Sequence, residues 1–402
     1  MHSGNSVRAG RLRPWGETSG AFLGLFMSGL ITTGLGPALP SLMSHYQLDP
    51  RQAGLAISLR GLGLLASVPA TGILAGLVPR KSLVLAGGLF IATGQLLSAL
   101  AASWWIILGL SFLVGMGFGL LDVCLNTLIA ESFGRRRGTG LNLLHMFYGV
   151  GALTGPFLAG AILSSSLGWR WVFGLGAFVG FLFTAYMGLQ PLRGPQVRAR
   201  GPGLSSLGRF AASPAFWLLA LVMFAYSGVG TGYIGWMNTY LVRVFAMTTL
   251  GASVVLSFYS MGITGGRLLC SRIADRLGYG NTILLCSSGA LLSAITASLA
   301  PSAAVAALSF GLTGFFFSGL FPTSLAFGTK LFPHSSEAVS SALLTGASAG
   351  AMLIPAIMAE TVKSAGIRAG MVGSLGFLLV LFVAALLLVR IPEMRRHADG
   401  EM

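Results

Sequence analysis

Twelve stretches of this 402-residue chain are apolar enough and long enough to cross a lipid bilayer. A hydrocarbon core of about 30 Å takes roughly 20 helical residues at a rise of ~1.5 Å each. Six such runs lie near 19–44, 52–78, 82–101, 104–131, 139–166 and 169–190. Six more lie near 214–241, 248–274, 280–300, 303–330, 335–362 and 366–390. The expected fold is an all-α membrane protein of twelve transmembrane helices. Only 9% of residues are charged, where a soluble chain carries about a quarter.

The formal net charge of +15 would suggest nucleic acid in a soluble protein. Here the basic residues cluster in short loops between apolar runs, and no basic helix or aromatic-interleaved basic stripe is present, so nucleic acid is not an expected partner. With twelve spans both termini share one side. That side carries 18 Lys/Arg, among them Arg80, Lys81, Arg135, Arg136, Arg137, Arg272 and Arg276, against five on the other: Arg51, Arg170, Arg243, Lys363 and Arg368. The positive-inside rule makes the richer side cytoplasmic and places the chain, multi-pass, in the cell (inner) membrane. The polar, basic first seventeen residues precede a run too long for a signal-peptide core, with no cleavage signature after it. Cys124, Cys270 and Cys286 all fall inside apolar runs without paired or metal-like spacing, and read as small packing residues. Neither a metal nor a cofactor is expected.

A shift of 199 residues superimposes the two halves of the sequence. It brings Ser28-Gly29 onto Ser227-Gly228, Ser58 and Gly63 onto Ser257 and Gly262, Gly115 onto Gly314, Phe133 onto Phe332, and Pro156 onto Pro355. A constant register across five pairs of runs implies two pseudo-symmetric six-helix bundles, residues 1–190 and 214–402. They are joined by a Gly-, Pro-, Ser- and Arg-rich cytoplasmic linker at 191–213. Parallel repeats of this kind leave a central cavity that opens alternately to each side.

The loop after the second run reads Gly72-Ile-Leu-Ala-Gly76-Leu-Val-Pro79-Arg80-Lys81, and its counterpart after the eighth reads Gly266-Arg267 followed by Arg272-Ile-Ala-Asp275-Arg276-Leu-Gly278. Both resemble the major facilitator superfamily signature G-x-L-a-D-R-x-G-R-K. The resemblance covers nearly the whole chain and implies the major facilitator fold, a secondary transporter and no enzymatic activity. It implies a gating role for Arg80, Lys81, Arg267, Asp275 and Arg276. Gly76 stands where the acidic residue is usual and Pro79 where the glycine is, which weakens the N-terminal charge latch.

A narrower resemblance lies in the fourth and fifth runs. Gly117-Phe-Gly-Leu-Leu-Asp122-Val-Cys-Leu-Asn126 and Leu141-Asn142-Leu-Leu-His145-Met-Phe-Tyr148-Gly149 are similar to the fucose:proton symporter family and related sugar permeases. The seventh run adds Tyr226-Ser-Gly228 with Trp236 and Tyr240, but Gly230 stands where that family has Glu, and its acidic residue in the first helix is missing.

Asp122 falls near mid-bilayer, where an ionised carboxylate is costly and marks a functional site or a structural ion pair. Asn126 lies one turn along on the same face, able to orient that carboxylate or hold a solute hydroxyl. Asn142, His145 and Tyr148 form an i, i+3, i+6 stripe, and His145 is a candidate proton relay or an interhelical hydrogen-bonding group. Arg60 is expected to snorkel, to pair with Asp122 or to bind an anionic substrate. Tyr226, Tyr233, Trp236 and Tyr240 share one face of the seventh run, with Asn238 nearby, and offer aromatic planes to a sugar or packing to neighbours. Two enzyme-like strings are set aside. Gly230-Thr-Gly232-Tyr-Ile-Gly235 lacks the strand–turn–helix of a dinucleotide site, and Gly346-Ala-Ser348-Ala-Gly350 lacks the context of a nucleophile elbow.

The expected function is proton-coupled alternating-access transport of a small polar solute such as a sugar, by a monomer in the bilayer. Asp122 and His145 would handle the proton, and Asn126, Asn142, Tyr148, Tyr233, Trp236, Asn238, Tyr240 and Arg60 the solute. The alternative is proton-driven efflux of a drug or metabolite. It rests on Gly151-Ala-Leu-Thr-Gly155-Pro156-Phe-Leu-Ala159-Gly160, similar to an antiporter pattern in the fifth helix. A scaffold or receptor that moves nothing is disfavoured by the acid and histidine at the midplane.

Overall fold

The computed structural model describes residues 15–74, 77–191 and 210–391. Gly76, the side chain of Asp275 and most of the expected linker lie outside the described residues. Twelve long helices run in chain order: α1 (Trp15–Tyr46), α2 (Pro50–Leu74), α3 (Arg80–Leu100), α4 (Trp104–Phe133), α5 (Arg137–Ser164) and α6 (Trp169–Leu189), then α7 (Pro214–Phe245), α8 (Thr249–Leu277), α9 (Tyr279–Ser298), α10 (Ala303–Leu331), α11 (Ser336–Ala365) and α12 (Ile367–Arg390). Each overlaps one expected run. Eleven are long and apolar enough to span a membrane. The exception is α8, whose last eleven residues include Arg267, Arg272, Asp275 and Arg276.

Local chemistry fixes the turns. At the start of α2 the Gln52 amide N–H donates to Asp49 Oδ1 at 2.8 Å, and Gln52 Oε1 accepts from the Asp49 N–H at 3.0 Å. This reciprocal capping box is followed by Pro50 at the first helical position. Thr248 and Ser302 cap α8 and α10 by accepting from the backbone N–H groups of Gly251 and Val305. Between α8 and α9, and again between α11 and α12, a single glycine turns the chain, Gly278 at φ 77° and Gly366 at φ 89°, a conformation that other residues rarely adopt.

Lipid offers no hydrophobic drive to bring helices together, so close packing must do it. The repeat seen in the sequence supplies it twice. Gly63 meets the backbone at Phe112 and Gly115 that at Arg60, pinning α2 to α4. Gly262 meets the backbone at Gly311 and Gly314 that at Tyr259, pinning α8 to α10. The four glycines are two pairs at the 199-residue shift, and both crossings leave no room for a Cβ.

The apolar core is unevenly shared along the membrane normal. We call the face where α1 begins and α12 ends the basic face, and the opposite one the distal face. One cluster is confined to α1, α3, α4, α5 and α6, toward the basic half. The other contains the core of α7–α12 and also distal residues of the first bundle, including Leu39, Leu42, Ala53, Ile57, Trp104 and Trp169. The two bundles therefore share one core at the distal face. The contacts agree: Gly36 of α1 meets the backbone at Ile234, and Gly54 of α2 meets Ala359 with Trp236 beside it. In mid-membrane a Cβ on Gly61 would lie 2.9 Å from the Ala351 carbonyl oxygen. Two ion pairs cross the same boundary, Lys363–Asp49 at 3.0 Å and Arg51–Glu360 at 3.3 Å. Toward the basic face, among the described residues, α4 and α5 form no packed seam with α10 or α11. Among the described residues the two bundles are packed together distally and part toward the basic face.

Arg80 and Lys81 act within the first bundle. The Arg80 guanidinium donates through both terminal nitrogens to Glu131 at 2.9 and 2.8 Å, tying the start of α3 to the end of α4. Lys81 Nζ donates to the carbonyls of Gly188 at 2.6 Å and Gln190 at 2.9 Å, neutralising the negative end of α6. The acid that answers Arg80 is thus Glu131, which the signature comparison had not singled out. Cys124, Cys270 and Cys286 are free and buried, the latter two with sulfurs 3.9 Å apart.

Candidate functional site

The polar residues of mid-membrane depth gather around Tyr148 of α5. Asp122 and Asn126, one turn apart on α4, are half-buried, and Asn126 Nδ2 donates to Asp122 Oδ1 at 2.9 Å and to the Asp122 carbonyl at 2.7 Å. The amide therefore orients the carboxylate. Tyr148 is half-buried and lies within electrostatic reach of Asp122, Arg60, Arg267 and Tyr226, with Thr32 near enough to hydrogen-bond it. Asn142, two turns toward the basic face, is exposed, and His145 is half-buried between them.

Arg60 does not pair with Asp122: among the described residues no ion pair joins them. The residue is only 9% exposed. It makes a long 3.4 Å contact from Nη1 to the Ile31 carbonyl, lies 5.8 Å from the Phe118 ring centre, and leaves Nε without a partner. With Gln95 it lines a recess of the first bundle between α1, α3, α5 and α6.

Arg267 enters the site from α8. Thr264, one turn before it, abuts Gly149 of α5. The helices are antiparallel, so one turn toward the basic face sets Arg267 opposite His145, within electrostatic reach of it and of Tyr226. Its Nε is buried and unpartnered. Tyr259 of α8 is fully buried, and its hydroxyl also lacks a partner. Phe317 of α10 packs against Tyr226 at 5.3 Å and Tyr259 at 6.4 Å between ring centres.

The stripe on α7 divides. Tyr233, Trp236, Asn238 and Tyr240 are all fully buried. The Tyr233 hydroxyl accepts from Ser374 at 3.0 Å, Asn238 Nδ2 donates to Ser253 Oγ at 2.9 Å, and the Tyr240 hydroxyl donates to the carbonyls of Ala297 and Ser298 at 3.1 Å. These three bind α7 to α12, α8 and α9 inside the second bundle. Trp236 stands at the distal seal beside Gly54. In this conformation those side chains point into packing against several neighbouring helices, and of the stripe Tyr226 joins the polar cluster. Arg276 is exposed at the basic end of α8. Sequence reasoning placed Arg267 in the gating loop and passed over Tyr259 and Thr32. The one available signal was that Arg60 and Tyr259 are related by the 199-residue shift.

Two six-helix bundles around a polar centre, packed together at one face and, among the described residues, parted toward the other, define a membrane transporter. The chain belongs to the Major Facilitator Superfamily, whose family model matches residues 21–344. It is 23% identical over 398 residues to the Protein TsgA homolog of Erwinia tasmaniensis, covering 94% of this chain and 95% of that one. It is 28% identical over 307 residues to the 3-(3-hydroxy-phenyl)propionate transporter of Escherichia coli, covering 75% and 74%. Among solved structures, it matches nucleoside transporter NupG with TM-score 0.75 at 14% identity (94% and 98% covered). It also matches an inward-facing, occupied bacterial homologue of the human lysosomal transporter Spinster, with TM-score 0.74 at 17% identity (93% and 96% covered). At those identities the structural likeness speaks for the fold alone.

Proposed function

We propose that this transporter is a proton-coupled symporter of a small polar solute, with Asp122 as the proton carrier and the basic face cytoplasmic. One observation carries the reading: a mid-membrane carboxylate held by an amide, Asn126, rather than by a cation. A carboxylate locked in an ion pair has little reason to take up a proton, whereas one oriented by a neutral donor can load and unload as its surroundings alternate between water and protein. Substrate and proton are coupled because each favours the same conformation. The monomer in the cell (inner) membrane is the working unit. The sugar class suggested by α4 and α5 is the first to assay.

A second reading, efflux by proton antiport, draws on the Gly151–Gly160 pattern of α5. The chain is also 30% identical over 155 residues, 38% of its length, to Efflux pump dotC of Dothistroma septosporum. Proteoliposomes with a trapped pH dye separate the two. Solute-driven proton movement in the direction of the solute, lost in Asp122→Asn, is the symport result, and opposed movement is the antiport result. Solute flux without protons and unchanged in Asp122→Asn rules out Asp122 as carrier.

A further inference from the structure

The charges of the central cluster do not balance. Two guanidinium groups, Arg60 and Arg267, and one carboxylate, Asp122, each lie within electrostatic reach of Tyr148, and among the described residues no ion pair joins either arginine to an acid. A cation held away from water without a countercharge is costly, and Arg267 is half-buried with its Nε shut off from solvent, so a negative charge from outside would complete the site. We propose that the solute is an organic monocarboxylate and that Arg267 is its anchor. This deepens the transport reading above and rests on it.

Of the two arginines, Arg267 is the one positioned for a solute. Arg60 is committed to the interior of the first bundle, where it contacts the Ile31 carbonyl and the Phe118 ring. Arg267 projects from α8 opposite His145, on the continuation of the α5–α8 contact toward the open face. Its Nε is unpartnered and its guanidinium lies within hydrogen-bonding reach of the Tyr226 hydroxyl; the planar fork can still offer a carboxylate two parallel hydrogen bonds. Beside it the Tyr226 ring packs on Phe317, an apolar wall suited to the body of the acid.

Further in, a Cβ on Gly230 would lie 3.6 Å from Phe317 and 3.7 Å from the Tyr259 hydroxyl, ordinary contact distances. The missing side chain leaves space against a buried hydroxyl that has no other partner. A polar tail on the solute would occupy that space and satisfy Tyr259. A neutral sugar would supply hydroxyls but leave Arg267 uncompensated. A carboxylate crossing with one proton on Asp122 also moves no net charge, so uptake should not respond to membrane potential.

Thermal stabilisation of the full-length protein in detergent tests the assignment without any proton gradient. The probes are benzoate, 4-hydroxyphenylacetate, lactate and succinate, each beside its methyl ester, with L-fucose as the neutral sugar. At least one monocarboxylate should raise Tm where its ester and fucose at the same concentration do not. Arg267→Gln should raise the half-saturating concentration at least tenfold, with partial recovery in Arg267→Lys. No shift with any acid, equal shifts with acid and ester, or unchanged acid binding in Arg267→Gln overturns the proposal. The acid–ester comparison on wild type decides even where Arg267→Gln does not fold. Acid binding that persists in a protein moving no protons would sink the coupling reading alone. Fucose-driven proton flux without acid binding would sink the anion assignment alone.

Discussion

Two seams hold the bundles together, α2 against α11 and α5 against α8, and the 199-residue repeat makes them counterparts. They are built differently. The α2–α11 seam ends distally in two ion pairs from Asp49, Arg51, Glu360 and Lys363, and in mid-membrane it sets Gly61 against the backbone of Ala351 and Met352. The equivalent positions of the other seam are Thr248, Leu250, Ala161 and Ser164. There the tightest contacts are side chains, Gly149 on Thr264 and Gly160 on Ser253, and toward the basic face the seam leads into His145 and Arg267. One seam is a closed clasp; the other runs into the site. Pseudo-symmetric halves thus carry unequal duties, which suits a device in which the site must sense solute and the clasp must release.

The largest effect should follow from widening the clasp. Gly61→Ala puts a Cβ 2.9 Å from the Ala351 oxygen and the Met352 backbone, which cannot swing aside. Overpacking of this kind costs about 1–3 kcal/mol. Solute uptake should fall about tenfold, and labelling of a Leu39→Cys thiol in the shared core by a membrane-impermeant reagent should rise; equal uptake in Gly61→Ala and wild type would break the comparison. Gly149→Ala meets only the Thr264 side chain and should cost less, with Thr264→Ala restoring it, as measured by uptake in the double variant.

Reversing one charge of the clasp comes next. Both ion pairs are about half exposed, and exposed pairs contribute about 0.2–1 kcal/mol each. Glu360→Lys should therefore raise Leu39→Cys labelling only a few-fold, and adding Arg51→Glu should return it. The smallest effect is that of pH. The Gln52 backbone N–H, followed by Lys363, holds the Asp49 carboxyl below its ordinary value of 3.8. A carboxylate with a depressed value contributes its full stabilisation above the ordinary one and loses it as pH falls through the depressed one. Distal labelling should thus be flat through neutral pH and rise only below 3.8; a step near neutrality would contradict the assignment.

The twelve helices were legible because length and apolarity alone decide what can span lipid. The repeat was legible because Gly63/Gly262 and Gly115/Gly314 must be small in both halves for the same steric reason. Partnerships across long stretches of chain were not. Nothing near Arg80 announced Glu131, fifty-one residues on, and the spacing that put Tyr233, Trp236 and Tyr240 on one face of α7 could not say what that face meets. Arg267 was hidden by its neighbourhood: within a signature loop it looks like part of the turn, and only the packing of Thr264 on Gly149 shows that it looks back into the membrane.

The central claim is that the distal clasp and the open basic face exchange states together, driven through Asp122. Spin labels at Ser44 and Ser364 report the distal face, and labels at Thr139 and Thr345 the basic one. In lipid nanodiscs, acidification from about pH 8 to about pH 5, across the range in which a proton-coupled carrier works, should shift the two distance distributions in opposite senses. Asp122→Asn should hold both fixed. Distances that move in the same sense, or that respond to pH as strongly without the carboxylate, would contradict the account.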